Sequence, residues 1–376
     1  MTLVTDNKPR ARDLGIPFEG TPGTWNAITD VCGVWVGQTT LILGDGALEV
    51  GRGPVRTGVT AILPRGRTYA PVFAATYALN GSGEMTGTLS IEESGFLDGP
   101  VMTTNTHSVG AVHQAVIAWM EENRYHRPSY EGFWAALPVV SETLDVFLND
   151  VNGFHVKSEH VFAALDAASS GPVAEGNVGG GTGMRCHQFK GGIGTSSRVL
   201  PATDGGYTVG VLLQANHGRR QNLTIAGVPV GRELTDLMPE IHRSALPVEG
   251  NSIIAVVATD APLLPHQLKR LAKRVPLGIG RTGGMGENTS GDIFIAFSTA
   301  NPGAWRSDGV MSLEMLPNAR VDALFRQNAE SLQAGFLAVV TSSHDYARQN
   351  EFMNRFAEAA RKQCAEADGA ILFLDT

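Results

Sequence analysis

Apolar runs of strand length alternate along the chain with longer stretches whose apolar positions recur every three or four residues. Residues 34–36, 39–43, 59–63 and 101–104 read as strands separated by Gly-rich turns. A helix follows, marked by Val112, Val116, Trp119 and Met120 at a 3.6-residue period. Residues 137–144 read as a strand passing into a polar turn, and residues 158–168 as a short helix carried by Val161, Phe162 and Leu165. Residues 207–214 form a strong strand that runs out at Ala215-Asn216-His217-Gly218. Residues 231–250 lack clean periodicity and read as an exposed connector.

The run from Ser252 to Ala258 is apolar on both faces and β-branched, the pattern of a central strand buried on both sides. A helix over 265–275 starts with Pro265 in its first turn and buries Leu268, Leu271, Ala272 and Val275. A strand at 292–297, amphipathic helices at about 318–334 and 346–367, and a last strand at 370–374 complete the chain. Residues 1–23 show no period and read as an extended arm. Strands and helices alternate in both halves, which predicts an α/β fold with helices covering sheets.

Composition narrows the partners. A net charge of −8 over 376 residues argues against nucleic acid, which calls for clustered Lys and Arg. The N-terminus lacks the apolar core of a signal peptide, and no apolar run is long enough to span a membrane. Cys32, Cys186 and Cys364 are isolated, so neither a disulfide framework nor a metal-binding spacing emerges. The expectation is a cytoplasmic protein without a metal.

Several local motifs leave two readings open. Gly278-Ile279-Gly280-Arg281-Thr282-Gly283 fits a dinucleotide fingerprint, but it follows a helix rather than a strand. Gly179 to Gly183 lacks the Lys-Ser/Thr of a phosphate loop and reads as a close-packed turn. The histidines show no metal-ligand spacing. Ser290 and Asp292 stand two apart at a strand start, so both point to one face and could pair; an exposed turn gives the same letters. Asn216 either caps a turn or offers its amide to a cleft, and Glu142 is either a surface carboxylate or an anchor. Ser252 follows Gly250-Asn251, a pair tolerant of turn geometry. It is either a turn cap or a hydroxyl aimed from the end of a buried sheet.

Taken together, the segments resemble the L-aminopeptidase/D-esterase, or β-aminopeptidase, family of self-processing N-terminal serine hydrolases. The resemblance rests on residues 10–17 and 25–31, Gly83-Glu84-Met85-Thr86-Gly87-Thr88, Thr104-Asn105-Thr106-His107, Gly179 to Met184, and Ala258 to Leu268. It implies an αββα four-layer sandwich related to ornithine acetyltransferase, with no metal or organic cofactor. It implies cleavage between Asn251 and Ser252 into an α chain (1–251) and a β chain (252–376) that together form one catalytic unit. It further implies a homo-oligomer, a tetramer of αβ units, acting on small peptide, amide or ester substrates, including D- or β-amino acyl compounds.

The resemblance also assigns roles. Ser252 would attack the Asn251 carbonyl in the precursor and the substrate carbonyl afterwards. Its freed α-amine, with a pKa of roughly 7.7–8 before perturbation, suits a general base. Asn216 matches the oxyanion-stabilising Asn, Ser290 and Asp292 the Ser-x-Glu/Asp pair, and Glu142 the carboxylate that holds the substrate ammonium. Two positions depart from the family pattern. Asp292 is one methylene shorter than the Glu of some relatives, and Leu144 stands where relatives carry a Tyr near the substrate. Two other functions fit the same architecture: an acyltransferase of the ornithine acetyltransferase type, whose relatives use an N-terminal Thr, and an uncleaved binding protein.

Overall fold

In the computed structural model, residues 16–127, 132–236, 238, 252–342 and 355 are described. The first half contains β1 (Trp35–Leu43), β2 (Val55–Leu63), β3 (Val72–Gly81), α1 (Thr88–Ser94), β4 (Phe96–Leu97), β5 (Val101–Asn105), α2 (Val109–Glu122), β6 (Val139–Thr143) and α3 (Ser158–Asp166). A short ribbon, β7 (Arg185–Cys186) with β8 (Phe189–Lys190), leads to β9 (Gly192–Val199) and β10 (Thr208–Asn216). The rest comprises β11 (Ser252–Thr259), α4 (Pro265–Ala272), α5 (Val275–Gly280), β12 (Gly291–Ser298) and α6 (Asp322–Ser342).

Strand parity builds the layers. On β11, Ile253, Ala255 and Val257 join an apolar cluster with Leu268, Leu271, Val275 and Leu324 of the covering helices. The alternate residues Ile254, Val256 and Ala258 pack with Ile62, Val101 and Val139 of a second sheet. That second sheet turns Val59, Ala61 and Leu63 outward onto Val112, Val116 and Trp119 of α2 and Val161 and Leu165 of α3. The result is an αββα sandwich. Every residue of β11 is buried, and each large aliphatic side chain there contributes roughly 1.5–3 kcal/mol of transfer free energy.

The inner sheets run β1-β2-β5-β6 and β4-β3-β12-β11-β10-β9. β5 pairs parallel with β6 and β11 parallel with β12; the other neighbours are antiparallel. The parallel pairing starts β11 and β12 at one edge of the six-stranded sheet. Antiparallel β10 and β3 end at the same edge, which is where the candidate site forms.

Most of the expected elements appear. The two runs at 34–43 merge into β1, and the helix at 265–275 divides into α4 and α5, with Gly278 and Gly280 inside α5. The fingerprint-like glycines thus sit on a helix against α6: a Cβ on Gly278 would lie 2.6 Å from Leu332 Cβ. The first of the two late helices is α6; residues 346–367 apart from 355, the strand at 370–374 and the arm up to residue 15 lie outside the described residues. β9 is a strand that the apolar pattern does not announce, because it reads Gly-Ile-Gly-Thr-Ser-Ser-Arg-Val. Its Gly194 lets α6 approach the sheet, since a Cβ there would come 2.0 Å from the Gly335 carbonyl oxygen. The Gly179–Gly181 turn is close-packed, as expected: a Cβ on Gly180 would stand 2.6 Å from Thr103 O, and one on Gly181 2.5 Å from Gly192 Cα.

Candidate active site

Ser252 opens β11 opposite Asn216, the last residue of β10. Its side chain has the parity of Ile254 and Val256, so it faces the space between the sheets, and it is 6% exposed. Ser252 Oγ accepts a hydrogen bond from the Gly291 backbone N–H at 3.0 Å. Ser290, on the residue before, donates to Asp292 Oδ1 at 2.6 Å and makes no bond to Ser252. Asn80 Nδ2, at the end of β3, donates to the other carboxylate oxygen of Asp292 at 3.1 Å. A register irregularity at Asp292/Ile293 accommodates this arrangement.

Burial lifts the Asp292 carboxyl to about 6, against hydrogen bonds from Ser290 and the Ile253 amide that hold it down; the nearby Glu287 charge adds to the rise. Asp292 and Ser290 line a small cavity of about 180 Å³ together with His217 and Glu287.

Glu142 reaches the site from the other sheet. It lies within β6, and both oxygens are engaged: Oε1 accepts from the Glu84 N–H at 3.0 Å, and Oε2 from the Thr106 hydroxyl. Burial raises its pKa; those two hydrogen bonds and His107 pull the other way, and the Glu84 charge pushes it further up. Gly83 sits between Glu142 and Gly291, the neighbour of Ser252. A Cβ on Gly83 would stand 3.1 Å from Glu142 Oε1 and 3.0 Å from Gly291 Cα.

The Asn216 amide is held at both ends. Its Nδ2 donates to the Leu144 carbonyl at 2.9 Å, and its Oδ1 accepts from the Arg185 backbone N–H at 2.9 Å. An amide nitrogen carries two hydrogens, so one remains for another acceptor. Leu144 contributes through its main chain, two residues after Glu142; its side chain is half-buried. Asn251 lies outside the described residues. The site therefore brings together Ser252, Ser290, Asp292, Asn216, Leu144 and Glu142 from four strand ends and two sheets.

The sequence profile of Peptidase family S58 matches residues 26–353. The chain belongs to this family. It is 52% identical over 347 residues to the β-peptidyl aminopeptidase BapA of Sphingosinicella microcystinivorans, covering 89% of this chain and 86% of that one. Its fold matches a Burkholderia sp. β-aminopeptidase at a TM-score of 0.84 and 44% identity, over 93% of this chain and 99% of that one. It likewise matches the L-aminopeptidase D-Ala-esterase/amidase of Ochrobactrum anthropi, described as a variant among the Ntn hydrolase fold. There the TM-score is 0.84 and the identity 45%, with the same coverage of 93% and 99%. The resemblance read from the sequence holds.

Three residues around this candidate site escape a reading of local pattern. Asn80 and Thr106 act by holding carboxylates, and nothing in their spacing says which carboxylate they meet; Thr106 stands in a segment that carried the family resemblance, without a role. The third, Arg185, sits on the short ribbon beside Asn216. Its guanidinium stacks on Phe147, 3.4 Å from the ring centroid, and lines a cavity of about 410 Å³ that also exposes Asn216 and Thr235.

Proposed function

We propose that this S58 chain is a serine aminopeptidase that cuts itself before Ser252 and then releases N-terminal residues from small peptides, amides and esters. In the precursor, Ser252 Oγ attacks the Asn251 carbonyl carbon. The peptide C–N bond breaks as the nitrogen takes a proton, and water hydrolyses the resulting ester. The products are an α chain ending at Asn251 and a β chain beginning with the free α-amine of Ser252. That amine takes the hydroxyl proton in the mature enzyme, as N-terminal amines do for hydroxyl nucleophiles. Ser252 Oγ then attacks the substrate carbonyl, and the remaining N–H of Asn216 stabilises the oxyanion. The proton passes to the leaving amine, and water releases the acyl group from Ser252.

Glu142, fixed by Glu84 and Thr106, anchors the substrate ammonium, which restricts the enzyme to free N-termini. Ser290 and Asp292 position the start of β12, and with it the Gly291 N–H. The relatives' names point to β- or D-amino acyl substrates, and we extend that class to this chain. We read the working form as a tetramer of αβ units. The described cysteines, Cys32 and Cys186, are unpaired, in keeping with a reducing cytoplasm.

The observation that carries this reading is the Gly291 N–H···Ser252 Oγ bond at the end of a buried strand, across from Asn216. Intact-mass analysis of the purified protein tests it. Two fragments meeting at Asn251/Ser252 are expected, and a single 39.8 kDa chain in Ser252→Ala. Hydrolysis retained by Ser252→Ala would overturn the assignment of the nucleophile.

A further inference from the structure

Among the described residues, Arg185 is a cation without a counter-charge. Its Nε and Nη1 are shielded from solvent and bond to none of the described residues, and no described carboxylate pairs with it. Its neighbours in the cavity differ. Arg219 pairs with Glu287 at 2.9 Å. Arg220 spends its guanidinium on the carbonyls of His187, Leu234 and Gln188. Burial pulls the Arg185 pKa down to about 10, with no described acidic group raising it. A charge taken out of water this far is costly unless a partner compensates it. Stacking on Phe147 offsets part of that cost and fixes the plane of the guanidinium. It supplies no hydrogen-bond acceptor.

The placement says which anion belongs there. The Arg185 backbone N–H holds one end of the Asn216 side chain, and the Leu144 carbonyl holds the other. Leu144 lies two residues beyond Glu142. Glu142 thus lies two residues from the group that holds one end of the proposed oxyanion donor, and Arg185, which holds the other end through its main chain, lines the cavity onto which Asn216 opens. A substrate whose acyl carbonyl meets Asn216 and whose ammonium meets Glu142 sends its leaving group toward Arg185. The adjoining cavity, about 410 Å³, falls within the range of pockets that take small molecules.

We propose that Arg185 binds the free α-carboxylate of the leaving amino acid, so that the preferred substrate is a dipeptide with both termini free. The proposal rests on the aminopeptidase reading above. Guanidinium is suited to the task, because it stays charged at the working pH and offers a charge-assisted N–H to a carboxylate through Nη2, which unlike Nε and Nη1 is not shielded.

The test compares β-alanyl-leucine with β-alanyl-leucinamide, which differ only in that carboxylate. The wild-type enzyme is expected to favour the free acid in kcat/KM by about ten- to a hundredfold, the range of a hydrogen bond to a charged group. In Arg185→Gln the ratio of free acid to amide collapses toward one; in Arg185→Lys, which keeps the charge, part of it returns. The wild-type comparison stands even where a variant folds poorly. Equal kcat/KM for the two substrates, or a preference for the amide, overturns this proposal alone. Hydrolysis of neither overturns the aminopeptidase reading and this proposal with it. Saturable binding of inorganic phosphate at the cavity without any free-acid preference would assign Arg185 to a separate anion and also overturn it.

Discussion

The Gly291 backbone nitrogen donates to the Ser252 hydroxyl at 3.0 Å. The two residues open neighbouring parallel strands, so sheet pairing itself sets the contact. The bond occupies a lone pair of Oγ and leaves the hydroxyl proton free to move. It also sets a partial positive charge beside the oxygen that, in the proposed reaction, becomes negative when the proton leaves. A support of the proposed nucleophile is thus a residue with no side chain.

Gly291→Ala tests that dependence. The added Cβ would stand 2.7 Å from Gly83 Cα and 2.8 Å from Ser82 O, both main-chain atoms that cannot swing away. The loop must shift, at a cost of about 1–3 kcal/mol of stability. A shift on the order of 1 Å at the nucleophile costs up to about a hundredfold in turnover. Urea unfolding and kcat measure the two effects. Wild-type values for both would remove Gly291 from the positioning of Ser252.

Glu142→Gln keeps the shape of the anchor and removes its charge. The Gln oxygen still accepts from the Glu84 N–H, and the Thr106 hydroxyl can turn to accept from the new NH₂. Stability should change little. The kcat/KM of substrates with a free ammonium should fall about ten- to a hundredfold, whereas N-acetylated analogues, already poor, lose far less. Equal losses for both substrate types would reject the anchoring role.

Much of the scaffold is legible in the sequence, because buried strands such as β10, β11 and β12 must be apolar on both faces. β9 is not legible: its glycines and hydroxyl residues answer to a close helix rather than to a period. The candidate site shows the same division. Ser252, Ser290 and Asp292 stand at strand starts, where a pattern can single them out. That Asn216 lies opposite Ser252 depends on strand register, which no local pattern fixes. Arg185 is conspicuous only for lacking a partner among the described residues, a property that exists only in three dimensions. The family resemblance supplied the roles that spacing could not.

Asn216→Ala removes an amide held at both ends, leaving the Leu144 carbonyl and the Arg185 N–H unpaired. Loss of one oxyanion donor costs about 10²–10³ in kcat. KM should move far less, since the donor acts mainly on the developing charge. A KM effect with kcat preserved would mark Asn216 as a binding residue only. Asn216→Asp should fare no better, because it sets a carboxylate oxygen against the Leu144 carbonyl oxygen.

Asp292 makes a prediction about pH in which stability and activity move in opposite directions. Burial lifts its carboxyl to about 6 in the folded protein from 3.8. The folded state therefore holds this proton more tightly than the unfolded state does. Stability from this group is fully present below about 4 and is lost as pH rises through 6, by about 3 kcal/mol over two pKa steps. Activity needs the opposite form, because ionised Asp292 is what accepts from the Ser290 hydroxyl and from Asn80. In the proposed mature enzyme the Ser252 α-amine must also lose its proton, at roughly 7.7–8. The log of kcat/KM should then climb with a slope of two below about 6 and of one from there to the amine pKa. In Asp292→Asn the slope stays at one throughout, on a lower plateau, because the new NH₂ faces the Asn80 donor. The same variant should gain stability relative to wild type as pH rises from about 4 to 6 and hold that gain above, read by urea unfolding at each pH. A slope of two surviving in Asp292→Asn would assign the second proton to another group.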